Sequence, residues 1–162
     1  MRQHLWPVIA ALVFLAPSLP AQQPPNLSGE WVAVDPAKVK ELLDLGVSVY
    51  RGTSLTIKQD AEAITIAYED QDGKAASMAL KFDKSRVFHA GPRGVTYMSY
   101  VMKFDASGFT IVRFPQMQGR PVLMDTYSIE GDELKIGVES LAGGSAGTLL
   151  FKKRHFKMTT PP

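Results

Sequence analysis

The sequence predicts an all-β fold: an up-and-down antiparallel β-barrel of about 8–10 strands with one short capping helix near the N-terminus. Three observations predict it. Apolar and polar residues alternate with period two through most of the chain after Leu27. Turn signals such as Asp72-Gly73 and Glu130-Gly131-Asp132 recur at intervals of roughly 8–14 residues. Only the segment opening at Asp35-Pro36 shows the apolar spacing of a helix. Consecutive hairpins favour a meander, and closing it removes the exposed edges.

The first residues follow a different pattern. Arg2 gives a positive start, Leu5 to Ala16 is an apolar run, and Pro17, Ser18 and Pro20 lead to Ala21. That is the order of a cleavable secretory signal. A membrane-spanning helix needs roughly 20 apolar residues, and Pro17 ends this run earlier. The expected organisation is a signal over 1–21, a polar leader over 22–26, a barrel domain over 27–157 and a tail over 158–162. The cut is expected after Ala21, with a secreted or periplasmic product and no integral membrane segment left in it. The chain has no cysteine, so neither a disulfide nor a lipid-anchor thiol is available. Losing Arg2 lowers the formal net charge from +2 to +1, which gives no electrostatic case for nucleic acid. Lys152, Lys153, Arg154, His155 and Lys157 form one basic cluster, read as a solvated strand end and tail.

The elements follow in order. Glu30 to Val34 forms a first strand. Asp35 then serves as N-cap with Pro36 at the first helical position, Val39, Leu42 and Leu43 supply an apolar face, and Gly46 ends the helix. Strands are expected at Ser54 to Lys58, around Ile64, Ile66 and Tyr68, and around Met78, Leu80 and Phe82. Asp83 to Gly94 is less regular and reads as a loop, with Gly91-Pro92 and Gly94 as its punctuation. Tyr97 to Phe104, Phe109 to Phe114, Val122 to Ile129, Glu133 to Glu139 and Thr148 to Lys153 complete the meander.

Ser28-Gly29-Glu30-Trp31 resembles the G-x-W motif that opens the first strand of lipocalin-like (calycin-type) barrels. The stretches NLSGEWVAVDPAK and TYSIEGDELKI also resemble small secreted bacterial lipocalin-like domains of uncharacterised function. The resemblance implies that Trp31, introduced by Gly29, sits at the closed end of the barrel. It implies that a basic residue after the last strand packs over it, Arg154 being the matching position. A helix between the first two strands is similar to the fatty-acid-binding branch of these barrels, which caps the mouth there. The resemblance implies a fold, and a function only as an expectation: a binding module for a small, largely apolar molecule.

Several chemistries find no support. His89 and His155 are the only histidines after the leader, and they lack metal-ligand spacing. No cofactor motif is present, and no serine lies in G-x-S-x-G. Paired acids such as Glu69-Asp70 and Asp132-Glu133 fall at turns. No enzyme activity is expected. The barrel interior remains. Met98, Tyr100, Met102 and Phe104 alternate onto one face, either as core filling or as a pocket wall. Asp125 and Tyr127 share a face with Leu123 and Ile129, and Arg113 shares one with Phe109 and Ile111. An interior acid needs a partner, and Arg113 is available. Tyr100, Met102, Arg113, Asp125 and Tyr127 are therefore the candidate ligand-binding residues. The alternative is a structural or interaction domain with a filled barrel, working through its outer surface. The first reading predicts an open interior cavity containing Tyr100 and Tyr127, with Asp125 and Arg113, and is overturned by a filled interior; the second predicts an exposed apolar outer face.

Overall fold

The computed structural model describes residues 24–70, 72–90, 96–115, 122–144 and 146–154. The signal over 1–21 with its cut after Ala21, the basic positions His155 and Lys157, and the tail over 158–162 lie outside the described residues. The elements are β1 (Gly29–Ala33), α1 (Pro36–Asp44), β2 (Ser54–Gln59), β3 (Ala63–Glu69), β4 (Ala75–Lys81), β5 (Val87–Ala90), β6 (Thr96–Asp105), β7 (Gly108–Pro115), β8 (Leu123–Glu130), β9 (Glu133–Ser140) and β10 (Ala146–Lys153). All ten strands form one antiparallel sheet in the order β4-β3-β2-β1-β10-β9-β8-β7-β6-β5. Pairing of β1 with β10 turns the meander back on itself, with Trp31 opposite Lys153 and Ala33 opposite Phe151. Chain neighbours β4 and β5 stand at the two ends of the sheet and touch without sharing a ladder. The result is a nearly closed barrel.

Alternation puts one face of each strand inside. In β9 the buried positions are Leu134, Ile136 and Val138, and in β10 they are Leu149 and Phe151. Leu55, Ile57, Ile64 and Ile66 do the same from β2 and β3. Burying such side chains stabilises by about 1.5–3 kcal/mol each.

β6 departs from strict alternation. Val101 pairs with Ile111 and Lys103 with Thr110, so Met102 is an extra residue in a bulge. Before the bulge Ser99 and Val101 are buried; after it Phe104 packs on the core. The expected single face of Met98, Tyr100, Met102 and Phe104 is thus corrected. An unbroken period of two places all four together, whereas the bulge moves Phe104 to the opposite side from the other three. The stretch read as a loop after Asp83 contains a further strand, β5.

Helix α1 forms as its ends dictate. The Asp35 carboxylate accepts the amides of Ala37 at 2.9 Å and Lys38 at 3.1 Å, and Pro36 needs no amide partner. Gly46 follows the cap at a φ of 72°, which a side chain disfavours. Val39 and Leu42 are buried. Leu42 presses on Gly147 of β10 so closely that an added Cβ would sit 2.5 Å from its Cδ2. The helix therefore caps the barrel end where β10 begins.

Beyond α1 the chain turns inward. Val47, Ser48, Val49 and Tyr50 are all buried, and the amides of Val47 and Ser48 bond the Leu42 carbonyl at 3.1 and 3.2 Å. This connection stoppers the capped end. The far end is closed by Leu27 and Trp31, whose indole Nε1 donates to the Leu27 carbonyl at 3.0 Å. Phe82 and Phe104 stack there, 3.7 Å between centroids.

Candidate functional site

Strands β7 and β8 set the site. Alternation points Phe109, Ile111 and Arg113 inward from β7, and Leu123, Asp125 and Tyr127 inward from β8. Arg113 and Asp125 are both 0 % exposed, and Arg113 Nη1 lies 2.5 Å from Asp125 Oδ2. Tyr50 arrives from the α1–β2 connection. Its hydroxyl donates to Asp125 Oδ2 at 3.2 Å and accepts from Arg113 Nη2 at 3.2 Å. The Tyr127 hydroxyl contacts that of Tyr50 and lies 3.4 Å from Asp125 Oδ2. Three groups from three segments, Arg113, Tyr50 and Tyr127, thus converge on one carboxylate oxygen of Asp125.

The cluster is charged, buried and incompletely bonded. The contact of Arg113 Nη1 with Asp125 is an ion pair by distance but not aligned as a hydrogen bond. Arg113 Nε and Asp125 Oδ1 are likewise buried with no hydrogen-bond partner. Leaving a buried donor or acceptor unbonded costs about 1–3 kcal/mol. Burial raises the Asp125 pKa above the ordinary carboxylate value, while Arg113 pulls it down. Burial is the largest single influence on Arg113 and disfavours its charge, but Asp125, Tyr50 and Tyr127 together outweigh it and hold the guanidinium well above its usual value. Burial first, and then neighbouring negative charge, raises the phenols of Tyr50 and Tyr127, so both stay protonated.

The polar layer continues across the sheet. Ser99 of β6 is the register partner of Arg113 and is fully buried. Its hydroxyl meets His89 Nε2 of β5 at 2.6 Å. His89, expected in a surface loop, is half-buried in a strand, because β5 pairs with β6 and turns its side chain toward Ser99. Among the described residues no group of three His, Cys, Asp or Glu side chains lies close enough to hold a metal. The largest described cavity, about 440 Å³, lies outside the mouth between α1 and Arg51 and Thr53. None of the described cavities is lined by Arg113, Asp125, Tyr50 or Tyr127.

Of the five sequence candidates, Arg113, Asp125 and Tyr127 meet inside the barrel. Tyr100 and Met102 do not join them. Tyr100 stacks on Phe114 with 5.8 Å between centroids, on the face of β6 away from the core, and Met102 is 41 % exposed at the bulge. Tyr50 escaped the sequence reading altogether. The one available signal was Val47-Ser48-Val49-Tyr50, an alternating run with no turn to make it a hairpin.

The closed end needs one correction. Trp31 is buried there, and an added Cβ on Gly29 would lie 2.8 Å from Lys153 Cε. The cation over the indole is Lys153, its Nζ 5.6 Å from the ring centroid. Arg154, the expected residue, is directed to Glu30, Nη1 to Oε2 3.6 Å. Register explains it: Lys153 is the cross-strand partner of Trp31, and the next residue faces the other way.

No protein-family model and no curated protein matches the chain. Solved structures do. The "REP1-NXSQ fatty acid transporter" is 14% identical with a TM-score of 0.61, over 81% of this chain and 98% of its own. A fatty acid binding protein of Schistosoma mansoni, solved with arachidonic acid, is 19% identical with a TM-score of 0.59, over 79% of this chain and 96% of its own. Human cRBP IV is 19% identical with a TM-score of 0.52, over 81% of this chain and 100% of its own. At these identities the likeness shows the fold alone: the chain shares the overall fold of these solved structures, here a nearly closed antiparallel barrel whose described residues form ten strands.

Proposed function

We propose that this protein is an exported carrier of calycin type that takes a small, largely apolar molecule into its barrel. One observation carries the reading: an interior of Leu, Ile, Phe and Met that holds, deep inside, a polar cluster with unsatisfied donors and an unsatisfied acceptor. Pockets for apolar ligands combine these two features, apolar walls for affinity and a few convergent polar groups for orientation. The structural neighbours named for fatty acid transport and binding support it. Uptake requires the Val47–Tyr50 connection to give way, since it fills the mouth.

Native mass spectrometry of the purified protein tests this, together with titration of an environment-sensitive apolar fluorophore. An adduct removed by organic extraction, or saturable probe uptake, is the expected result. A bare mass with no probe uptake overturns it. That outcome would favour a filled barrel working through its surface, a reading supported by the tight interior and by Phe88 and Met102, 63 % and 41 % exposed on the outer side of β5 and β6. Export is proposed from the Arg2 to Ala21 pattern. Intact mass from cell fractions checks it: a chain starting at Gln22 outside the cytoplasm supports export, and a chain retaining Met1 to Ala21 in the cytoplasm refutes it.

A further inference from the structure

We infer that the buried cluster is built for a neutral, hydroxyl-type head group, and that Tyr50 of the chain itself occupies its place. The inference rests on the carrier reading and names the ligand chemistry of that site.

Charge comes first. Arg113 and Asp125 lie 2.5 Å apart, both fully buried, and their charges cancel. An anionic head group would meet no net positive charge and would sit beside a carboxylate already there. The unbonded atoms come second. Arg113 Nε and Nη1 offer hydrogens, and Asp125 Oδ1 offers lone pairs. Tyr50 does not bond these atoms; a hydroxyl in its place still meets both a donor, Arg113 Nη2, and an acceptor, Asp125 Oδ2, whereas a carboxylate only accepts.

Tyr50 is the third observation. Its hydroxyl already accepts from Arg113 Nη2 and donates to Asp125 Oδ2, each at 3.2 Å. Arg113, Asp125 and Tyr127 are fixed on β7 and β8, whereas Tyr50 sits on the connection between α1 and β2. It alone can leave the cluster without breaking a ladder. Binding is then an exchange, in which an incoming hydroxyl takes the place of the Tyr50 phenol between Arg113 and Asp125 as residues 47–50 withdraw.

Calorimetric titration with decan-1-ol and with decanoate at about pH 8, where the probe acid is ionised, tests this. The wild-type protein should bind the alcohol about tenfold more tightly than the carboxylate. Tyr50→Ala, which removes the internal competitor, should tighten alcohol binding by about a further tenfold. Asp125→Asn, which leaves Arg113 uncompensated, should reverse the preference. Equal or tighter binding of decanoate by the wild-type protein overturns the head-group inference and leaves the carrier reading standing. An alcohol affinity unchanged in Tyr50→Ala overturns the role given to Tyr50. Uptake of neither probe by either protein removes the carrier reading and this inference with it. Should Asp125→Asn fail to fold by circular dichroism, the wild-type ranking decides.

Discussion

Strands β7 and β8 lie beside β9 and β10, and all four are eight residues long. Their inner faces differ in polarity: both carry apolar residues, and only one carries charge. The β9–β10 wall is Leu134, Ile136, Val138, Leu149 and Phe151, with no polar side chain among its buried members. The β7–β8 wall places Arg113, Asp125 and Tyr127 at the same depth. The two walls are directly paired: Tyr127 is the register partner of Ile136, and Asp125 of Val138. The contrast teaches that the polar wall is not needed to close the barrel. The apolar wall shows how this sheet is stabilised where burial alone decides, and Arg113 and Asp125 carry a desolvation cost that their ion pair offsets only in part.

Perturbing each wall in turn measures that difference. Arg113→Met leaves the Asp125 charge buried and unpaired, and should lower unfolding stability by about 3–5 kcal/mol in urea melts. A loss under about 1 kcal/mol would mean that the carboxylate is already neutral beside Arg113. Ile136→Ala on the apolar wall should cost about 2–5 kcal/mol through its cavity. That loss should not vary with pH, since no titratable group contacts the deleted atoms by charge. Replacing both partners, Arg113→Met with Asp125→Leu, should bring stability to within about 1 kcal/mol of the wild type or above it. A double variant as unstable as the single one would show that the pair is structurally required.

The smallest effect is on pH dependence. Burial holds the Asp125 carboxyl above its ordinary value, so the folded protein binds that proton more tightly than the unfolded chain. Its contribution is greatest below the ordinary aspartate value of about 4 and is lost as pH rises through the folded value. The stability of the wild type minus that of Asp125→Asn should therefore fall with rising pH. A flat difference would mean that Arg113 fully cancels the effect of burial.

The β7–β8 wall was legible in the sequence because nothing interrupts alternation between Phe109 and Arg113 or between Leu123 and Tyr127. The helix was legible because Asp35, Pro36 and Gly46 act locally. The face of β6 was not. Its Met98, Tyr100, Met102 and Phe104 side is the more apolar one, so hydrophobicity selects the wrong face and does not reveal the bulge at Met102 that moves Phe104 across. β5 was hidden by its four-residue length and its neighbours Gly91-Pro92. Lys153 and Arg154 are adjacent cations, and composition cannot rank them; only register with Trp31 does. Tyr50 was hidden for a deeper reason. Its role depends on a connection folding inward onto strands 63 and 77 residues away in the chain, a purely tertiary outcome.

The ladder between β1 and β10 also sets an order of events. It joins Trp31 to Lys153, the first strand to the last. Every other ladder joins neighbours along the chain except that between β1 and β2, which spans the helix. The barrel therefore waits for its own final strand. A chain still being made, or cut before Ala146, holds β1 and β9 as bare edges with nothing to pair them. Closing the barrel is therefore slow on the scale of local hairpins, because this contact spans the longest stretch of chain.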